Sequence, residues 1–281
     1  MMLVPAAIFL VLCLVGTLLA AVEPAPVPAP PGREGYPDTS QAPEKPDTGL
    51  DPTVQTSKLG LQNYFSKHPH AGYLYQLLFK GTYAFGCSGK NDCAISVALP
   101  AAAIFNAGNM PGLAGASGLG DTNLEFVKVL AWGKLAHAPV LDVYFRPSNP
   151  NLGDTASTGT VLAPGYAASY PCTDNMQTLL LVQYQWSVER AAGTAYVSNL
   201  LIRPFFICYW PHLFFTMTEF RVNPDFRNNH TYLIPSMVLG RFLNEKKNLN
   251  LTATLDLPVD HYTRTNSEQF KLKVTFNYFF K

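Results

Sequence analysis

The sequence predicts an all-β fold, an antiparallel transmembrane β-barrel of about 12 strands, with about 10 strands as the next possibility. Three observations favour this fold: long segments in which apolar and polar residues alternate, charged residues within the polar faces of these segments, and aromatic residues at their ends. Charged residues make up 14% of the chain, whereas soluble domains contain about 25%. A secreted soluble β-sandwich would show the same alternation and is the alternative fold.

Two regions precede the predicted barrel. The apolar N-terminal run ends in the small residues Ala20 and Ala21, which favours a cleaved signal peptide over residues 1–21. A single anchoring helix is the alternative, because the run is close to the roughly 20 residues that span a bilayer. Residues 22–56 are rich in proline and poor in large apolar residues, so we predict a flexible linker there. The barrel itself is predicted over residues 57–281.

Alternation with a period of two indicates β-strands, because successive side chains of a strand point to opposite faces. In FKLKVTFNYFF, every second residue from Phe270 to Phe280 is apolar or aromatic, and Lys271 and Lys273 lie between them. Such segments run for roughly 9 to 13 residues, which matches the roughly 9 to 11 residues of a tilted transmembrane strand and exceeds the usual strand of soluble sheets. Strands are predicted near residues 71–86, 93–105, 120–132, 138–146, 160–168, 175–190, 194–209, 211–223, 229–243, 247–258 and 267–280. They number about ten to twelve, and because single-chain bacterial barrels have an even number, we predict twelve with one or two weak strands unassigned.

Two stretches are too long and polar to be tight turns. They are NPNLGDTASTGTVLAPGYAASYPCTDN, which starts at Asn149, and VDHYTRTNSEQ, which starts at Val259. Long loops of this kind are typical of the extracellular side of a barrel, whereas RFLNEKKNLN predicts a compact turn. Pro204 and Pro235 lie inside strand patterns, and since proline removes a ladder donor, they indicate either bulges or wrong strand boundaries.

Four cysteines remain after the predicted cleavage, and an exported chain permits disulfides. We predict a bridge between Cys87 and Cys93, which would close the short loop of CSGKNDC. A metal site there is the alternative, but the spacing matches no known zinc pattern. No metal or cofactor is therefore predicted. Cys172 and Cys208 either pair or stay free, and the sequence leaves both possibilities open.

The functional prediction depends on the polar faces of the strands. A formal net charge of +1 without a basic cluster gives no basis for a nucleic-acid partner. No nucleophile elbow, P-loop or zinc-protease motif occurs, and no enzymatic activity is predicted. We predict that the following residues line the lumen of the barrel: Glu125, Asp142, Gln183, Gln185, Glu189, Arg203, Glu219, Arg221, Asp256, Lys271 and Lys273.

Three sequence features occur together: GLGDTNLEFVKVL from Gly118, YLIPSMVLGRFL, and a final strand that ends in aromatic residues. The first resembles the Gly-x-Gly-Asp turn and strand of bacterial outer-membrane proteins of the phenol-degradation meta-pathway type, and the resemblance covers roughly residues 95–280. It implies an outer-membrane β-barrel, in contact with outer-membrane lipid, that transports small hydrophobic or aromatic solutes and has no catalytic residues. The final strand is similar to the C-terminal assembly signal of outer-membrane proteins, which implies recognition by the barrel-assembly machinery of a Gram-negative cell, although Lys281 follows Phe280.

The leading hypothesis is passive passage of small solutes through a narrow barrel in the bacterial outer membrane, with charges of both signs on its inner wall. A second hypothesis is an outer-membrane lipid-modifying enzyme, which would use His261 together with Ser267 and Glu268 of the same loop. A third is a structural or adhesive surface protein whose loops carry the function.

Overall fold

A computed structural model describes residues 47–68, 72–87, 92–105, 117–145, 147, 152, 159–189, 196–266 and 268–280. The predicted signal peptide lies outside these residues, as does the predicted linker up to residue 46. The described residues contain strands β1 (Ser57–His68), β2 (Gly72–Phe85), β3 (Cys93–Phe105), β4 (Ser117–Leu119), β5 (Thr122–Lys128), β6 (Leu130–Trp132), β7 (Leu135–Phe145), β8 (Val161–Thr173), β9 (Met176–Ser187), β10 (Ser198–Tyr209), β11 (Phe214–Asp225), β12 (His230–Phe242), β13 (Leu249–Asp256) and β14 (Phe270–Phe280), and helix α1 (His261–Asn266).

Twelve of the strands form a closed antiparallel ring. The order around the ring is β1, β2, β3, β5 and then β7 to β14 in sequence. β14 pairs with β1 and closes the ring, in a register that sets Lys273 opposite Tyr64. The short strands β4 and β6 pair with β3 and β7 at the side of the ring. The ring confirms the predicted barrel of about twelve strands, and β1 is the strand that the alternation pattern left unassigned.

The connections between strands differ at the two ends of the barrel. The short-turn end contains the start of β1, the end of β14 and brief turns such as residues 174–175 between β8 and β9. The long-loop end contains the connection from β7 to β8 and the connection from β13 to β14, which includes α1. These two connections correspond to the two long loops predicted, except that the first already ends at Val161, where β8 begins. Most of that first loop lies outside the described residues.

Neither proline inside a strand interrupts the barrel. β10 keeps one register with β9 on both sides of Pro204, and β12 keeps one register with β11 on both sides of Pro235. Both interpretations of these prolines were therefore wrong, because the strands continue through them without a bulge. Each proline removes one donor from its ladder, and the paired residues on either side of it keep the register. In the described part of the chain, the pairings show one register shift, between Pro171 and Thr173 where β8 meets β9.

The outward face of the barrel is apolar. Leu61, Val97 and Phe276 on three different strands are each 40–41% exposed, although they lie in the middle of the wall. Trp132 and Trp210, which lie near the short-turn end, are even more exposed. A soluble protein rarely exposes so extended an apolar surface, and an apolar band flanked by aromatic residues is typical of transmembrane barrels.

The interior of the barrel is apolar in one region and polar in another. Towards the short-turn end, inward side chains of β5 and β7 to β12 pack into one apolar cluster, with Leu50 against it. Its members Phe205, Ile207 and Met217 are at most 3% exposed. Towards the long-loop end the inward side chains are mostly polar or charged. The apolar cluster is an ordinary packed core, so the polar region is where a solute could be received.

The predicted disulfide between Cys87 and Cys93 is confirmed, with 5.9 Å between the two Cα atoms. It bridges the connection between β2 and β3 at the short-turn end. Cys172 and Cys208 are both free thiols, which decides between the two possibilities left open by the sequence. Among the described residues, no helix is long and apolar enough to cross a membrane.

Candidate functional site

The candidate site is a cavity of about 700 Å³ inside the barrel. Its lining comes from inward-facing residues of most strands, because alternate residues of each strand point to the lumen. Of the residues predicted to line the lumen, these border the cavity: Glu125, Asp142, Gln183, Gln185, Arg203, Arg221, Asp256, Lys271 and Lys273.

Two further predicted lumen residues lie elsewhere. Glu219 is 3% exposed and is bonded to the arginines that border the cavity. Glu189 is exposed beyond the end of β9, where its Oε2 accepts a hydrogen bond from Thr160 Oγ1 at 3.3 Å. The alternation of β9 does not continue that far, because the strand ends at Ser187.

Basic side chains border the cavity along β10, β11 and β14. Arg203 Nε donates to Glu219 Oε1 at 2.6 Å, and Arg221 Nε donates to the same oxygen at 3.4 Å. Arg221 also reaches across β12 to Asp256, with 3.5 Å between Nη2 and Oδ2. We name Arg203, Arg221, Lys271 and Lys273 the basic wall. The four basic groups pair with the three carboxylates of Glu219, Asp256 and Glu268, so this wall keeps one positive charge in excess.

The two lysines of the basic wall have different partners. Lys271 Nζ lies 3.0 Å from Glu268 Oε2, within ion-pair distance. Lys273 Nζ lies 5.8 Å from the centre of the Tyr64 ring. Among the described residues, Lys273 forms no ion pair with a carboxylate, so its charge faces the cavity uncompensated by a direct contact.

Acidic side chains border the cavity on the opposite side, along β5 and β7. Glu125 Oε1 lies 3.2 Å from Lys80 Nζ on β2. Asp142 accepts hydrogen bonds from Asn123 Nδ2 at 2.9 Å and from Gln183 Nε2 at 2.5 Å. Both partners of Asp142 are neutral amides. In the part of the chain that the structure describes, Asp142 forms no ion pair with a basic residue.

Sequence reasoning missed several cavity residues on the first strands. Lys80, Gln76 and Tyr64 all border the cavity. A signal for Lys80 was present in YQLLFKGTY, where Gln76, Lys80 and Thr82 share the inward parity of β2. Tyr64 carried no such signal, since β1 itself was not predicted.

A segment before β1 lies inside the barrel at the short-turn end. We name residues 47–55 the lumen segment. On one side, Asn250 Nδ2 of β13 donates to the Thr48 carbonyl at 2.9 Å, and Asn277 Nδ2 of β14 donates to Asn250 Oδ1 at 2.9 Å. Thr48 is 1% exposed and Asn250 is fully buried. These residues thus pack as tightly as a core, unlike the flexible linker that the sequence predicts for them.

The other side of the lumen segment is bound to β8 and β9. Asp51 Oδ2 accepts hydrogen bonds from Gln177 Nε2 and, at 3.3 Å, from Ser169 Oγ. Around the ring, four strands separate β8 from β13 in one direction and six in the other. The segment is therefore anchored to opposite walls and crosses the lumen.

Two carboxyl groups outside the strands have shifted pKa values. Burial raises the pKa of Asp51, and hydrogen bonds from Thr53 and Gln177 oppose this effect only in part. Burial also raises the pKa of Asp260, but hydrogen bonds from Thr263, Leu233 and His230 outweigh it and hold the pKa below its ordinary value. The Asp51 carboxyl thus favours its neutral form more than a free carboxyl does, and Asp260 favours its charged form.

The residues of the enzyme hypothesis do not form a described catalytic arrangement. His261 is exposed at the first residue of α1. Glu268 pairs with Lys271 towards the lumen, and Ser267 lies outside the described residues. No described contact joins His261 to Glu268.

A closed twelve-strand antiparallel barrel with an apolar outer face and a charged interior belongs to the architectural class of outer-membrane barrels. No protein-family model matches the sequence, and no curated protein matches it. Among solved structures, a NanC porin has a TM-score of 0.55 at 12% identity, covering 79% of this chain and 99% of the porin. A KdgM porin has a TM-score of 0.54 at 8% identity, covering 80% and 99%. An outer membrane channel from Pseudomonas putida F1 has a TM-score of 0.56 at 11% identity, covering 81% and 96%.

At such low identities the likeness shows the fold alone. It confirms the outer-membrane type of β-barrel that the sequence predicts. Membership of the phenol-degradation meta-pathway type stays a prediction.

Proposed function

We propose that this protein is an outer-membrane channel for the passive passage of small solutes. The observation that carries the proposal is the closed barrel whose outer face is apolar and whose lumen contains a cavity of about 700 Å³ bordered by charged side chains. A lipid-facing exterior and a wet interior are the two requirements for a polar path across a bilayer.

The proposed orientation follows from the lengths of the connections. Outer-membrane barrels have short periplasmic turns and longer extracellular loops. The short-turn end would therefore face the periplasm, and the long-loop end would face the exterior. The signal peptide predicted at residues 1–21 would direct export, and the alternating strand β14 would be recognised by the barrel-assembly machinery.

The proposed solutes are small and combine polar with apolar parts. Charged groups border the cavity on two sides, while Leu181, Leu201 and Phe205 add apolar surface. This lining is compatible with the hydrophobic or aromatic solutes implied by the sequence resemblance. The charged side chains of the lining would also form ion pairs with charged groups of a solute, which a purely apolar solute lacks.

The first experiment tests the barrel in its membrane. Outer-membrane fractions are run on SDS gels with and without boiling, because a closed barrel resists SDS until it is heated. We expect the unboiled protein to migrate differently from the boiled protein. Identical migration, with the protein in the soluble fraction, would contradict the membrane barrel.

The second experiment tests passage. The purified full chain is inserted into planar bilayers, and current is recorded in 1 M KCl; solute flux is followed by the swelling of loaded liposomes. We expect discrete conductance steps and swelling with small solutes. Protein that is folded by the heat test yet shows neither signal would overturn the channel function.

A further inference from the structure

Among the described residues that border the cavity, Asp142 and Lys273 form no ion pair and lie on different walls, whereas Asp51, which also forms none, belongs to the lumen segment. We propose that the cavity binds a small zwitterion, with the ammonium group of the solute at Asp142 and its carboxylate at Lys273. This inference rests on the proposed function and names its solute class.

The Asp142 carboxylate gives the stronger support for this proposal. Asp142 is 5% exposed and borders the cavity. A buried carboxylate without a cation is costly, even when neutral donors such as Asn123 and Gln183 satisfy part of its hydrogen bonding. Each carboxylate oxygen can accept more than one hydrogen bond, so both retain capacity for a donor from the cavity. A cationic group of a solute would remove the cost.

Lys273 supplies the complementary group. Its ammonium can donate three hydrogen bonds, and the Tyr64 ring beside it, at 5.8 Å, offers only a weak electrostatic contact. Arg203 and Arg221 are balanced by Glu219 and Asp256 on the same side of the cavity, so Lys273 is the basic residue of this wall that has no ion-pair partner among the described residues. An anionic group is therefore favoured on this side of the lumen.

The two charges face each other across the lumen. Asp142 is on β7 and Lys273 is on β14, with four strands between them in one direction around the ring and six in the other. The other described lysines that border the cavity have ion-pair partners: Lys58 pairs with Asp47, Lys80 with Glu125 and Lys271 with Glu268. A solute that carries only one charge could pair with Asp142 or with Lys273, whereas a zwitterion could pair with both.

Apolar residues border the cavity as well. Val140, Leu181 and Leu201 border the same cavity. Methylene groups that join an ammonium to a carboxylate would contact them and lose water on doing so. The lining therefore selects ω-amino acids with a short apolar chain over compact ions.

The test measures binding to the purified full chain in detergent by isothermal titration calorimetry. The probes are 4-aminobutanoate, 6-aminohexanoate and 8-aminooctanoate, because the chain length that fits is set by the distance between the walls. Each probe is compared with the alkylammonium and the alkyl carboxylate of equal chain length. We expect at least one amino acid to bind about tenfold more tightly than both of its single-charge analogues.

Three variants assign that preference to the two residues. Asp142→Asn keeps the shape and should remove the advantage over the carboxylate analogue, and Lys273→Gln should remove the advantage over the ammonium analogue. Asp174→Asn is the matched control, since Asp174 is exposed in the turn between β8 and β9 and should change nothing. All variants are first shown to be folded by the heat test.

The inference is overturned if no amino acid in the series surpasses both analogues. It is equally overturned if the preference persists in Asp142→Asn and Lys273→Gln. Conductance recorded on the same preparation keeps the two claims apart: a conducting protein without zwitterion preference leaves the channel function intact, and a non-conducting protein contradicts that function.

Discussion

Gly240 shows how the absence of one side chain shapes the interior. It faces inward on β12, opposite Phe215 of β11. A Cβ atom at this position would lie 2.1 Å from Cζ of the Phe215 ring. The ring is fully buried and packs on Phe242, with 5.3 Å between ring centres. Phe215 therefore occupies the space that a side chain at position 240 would need.

We predict that Gly240→Ala destabilises the barrel by about 1–3 kcal/mol, the usual cost of overpacking a core. The measurement is the temperature at which the unboiled gel band converts to the unfolded band, which should fall. The double variant Gly240→Ala with Phe215→Leu should recover part of the loss. Gly81→Ala is the matched control, because its Cβ would meet Leu59 at an ordinary 3.8 Å. An equal fall of this temperature in Gly240→Ala and Gly81→Ala would contradict the overpacking of Phe215.

Lys271 and Lys273 share a face of β14 but are predicted to differ in their effect on ion selectivity. Lys271 pairs with Glu268, so Lys271→Gln removes one charge of a neutral pair. Lys273→Gln removes a charge that has no ion-pair partner among the described residues. We expect the reversal potential in a salt gradient to shift towards cation preference, and to shift further for Lys273→Gln. Equal shifts, or none, would contradict this difference.

At the scale of elements, α1 depends on Asp260, which precedes it. Asp260 Oδ1 accepts a hydrogen bond from Thr263 N at 2.7 Å, and Oδ2 accepts one from Leu233 N at 3.1 Å. The carboxylate therefore holds the start of α1 and attaches it to β12. Because the pKa of Asp260 is below its ordinary value, its stabilising effect is present above the ordinary pKa and is lost as the pH falls through the folded-state pKa.

We predict that Asp260→Asn loosens α1 at neutral pH. Trypsin should then cleave faster after Arg264, which lies in the last turn of α1. Cleavage after Arg227, in a turn held by Asp225 at 3.0 Å, is the internal control and should keep its rate. In the wild type, amide exchange at Thr263, corrected for intrinsic pH dependence, should accelerate in acid. Unchanged cleavage after Arg264 would show that Asp260 is dispensable.

Most of the barrel could be predicted from the sequence, because alternation is a local property of each strand. The predicted segments overlap every strand of the ring except β1. In β1, Gly60 faces the lumen and Asn63 faces outward, where its Nδ2 donates to Tyr75 Oη at 2.9 Å. A glycine on the polar face and a polar residue on the apolar face interrupt the alternation. The proline-rich stretch before β1 also makes the strand resemble the end of a linker.

The candidate site could be predicted only in part. Alternation indicated that Glu125, Asp142 and Lys273 point inward, but it does not indicate which charges meet. The pairing of Arg221 with Asp256, for example, depends on the register of three strands. The lumen segment was missed for a related reason. Its anchors lie 118 to 202 residues away in sequence, so nothing local distinguishes it from a flexible linker.

At the scale of the whole molecule, the lumen segment occupies space inside the barrel that a passing solute would need under the proposed channel function. It is anchored to β8 and β9 through Asp51 and to β13 through Thr48. Together with the apolar cluster, against which Leu50 packs, it occupies part of the short-turn end of the lumen. Under the proposed channel function, a solute that enters from the long-loop end would therefore meet the segment before it leaves.

We predict that fixing the lumen segment in place lowers conductance several-fold. The variant carries Asp51→Cys and Gln177→Cys, two positions in direct hydrogen-bond contact. Cys172→Ser and Cys208→Ser remove the free thiols. Oxidised protein should conduct less, and a reductant should restore the current.

The control is Asp51→Cys without Gln177→Cys, again combined with Cys172→Ser and Cys208→Ser. The reductant also reduces the natural disulfide between Cys87 and Cys93, so this control should conduct equally before and after reduction. If the doubly substituted protein conducts equally in both states, the segment does not limit the path.

The distance in sequence between the lumen segment and its anchors has a consequence for biogenesis. Thr48 is synthesised 202 residues before Asn250, which binds it. β1, which follows the segment directly, completes the ring only by pairing with β14, the last strand. Every newly made molecule therefore has a segment whose docking site is assembled last. Under the proposed channel function, the permeability of each new barrel would therefore depend on how quickly it receives its lumen segment.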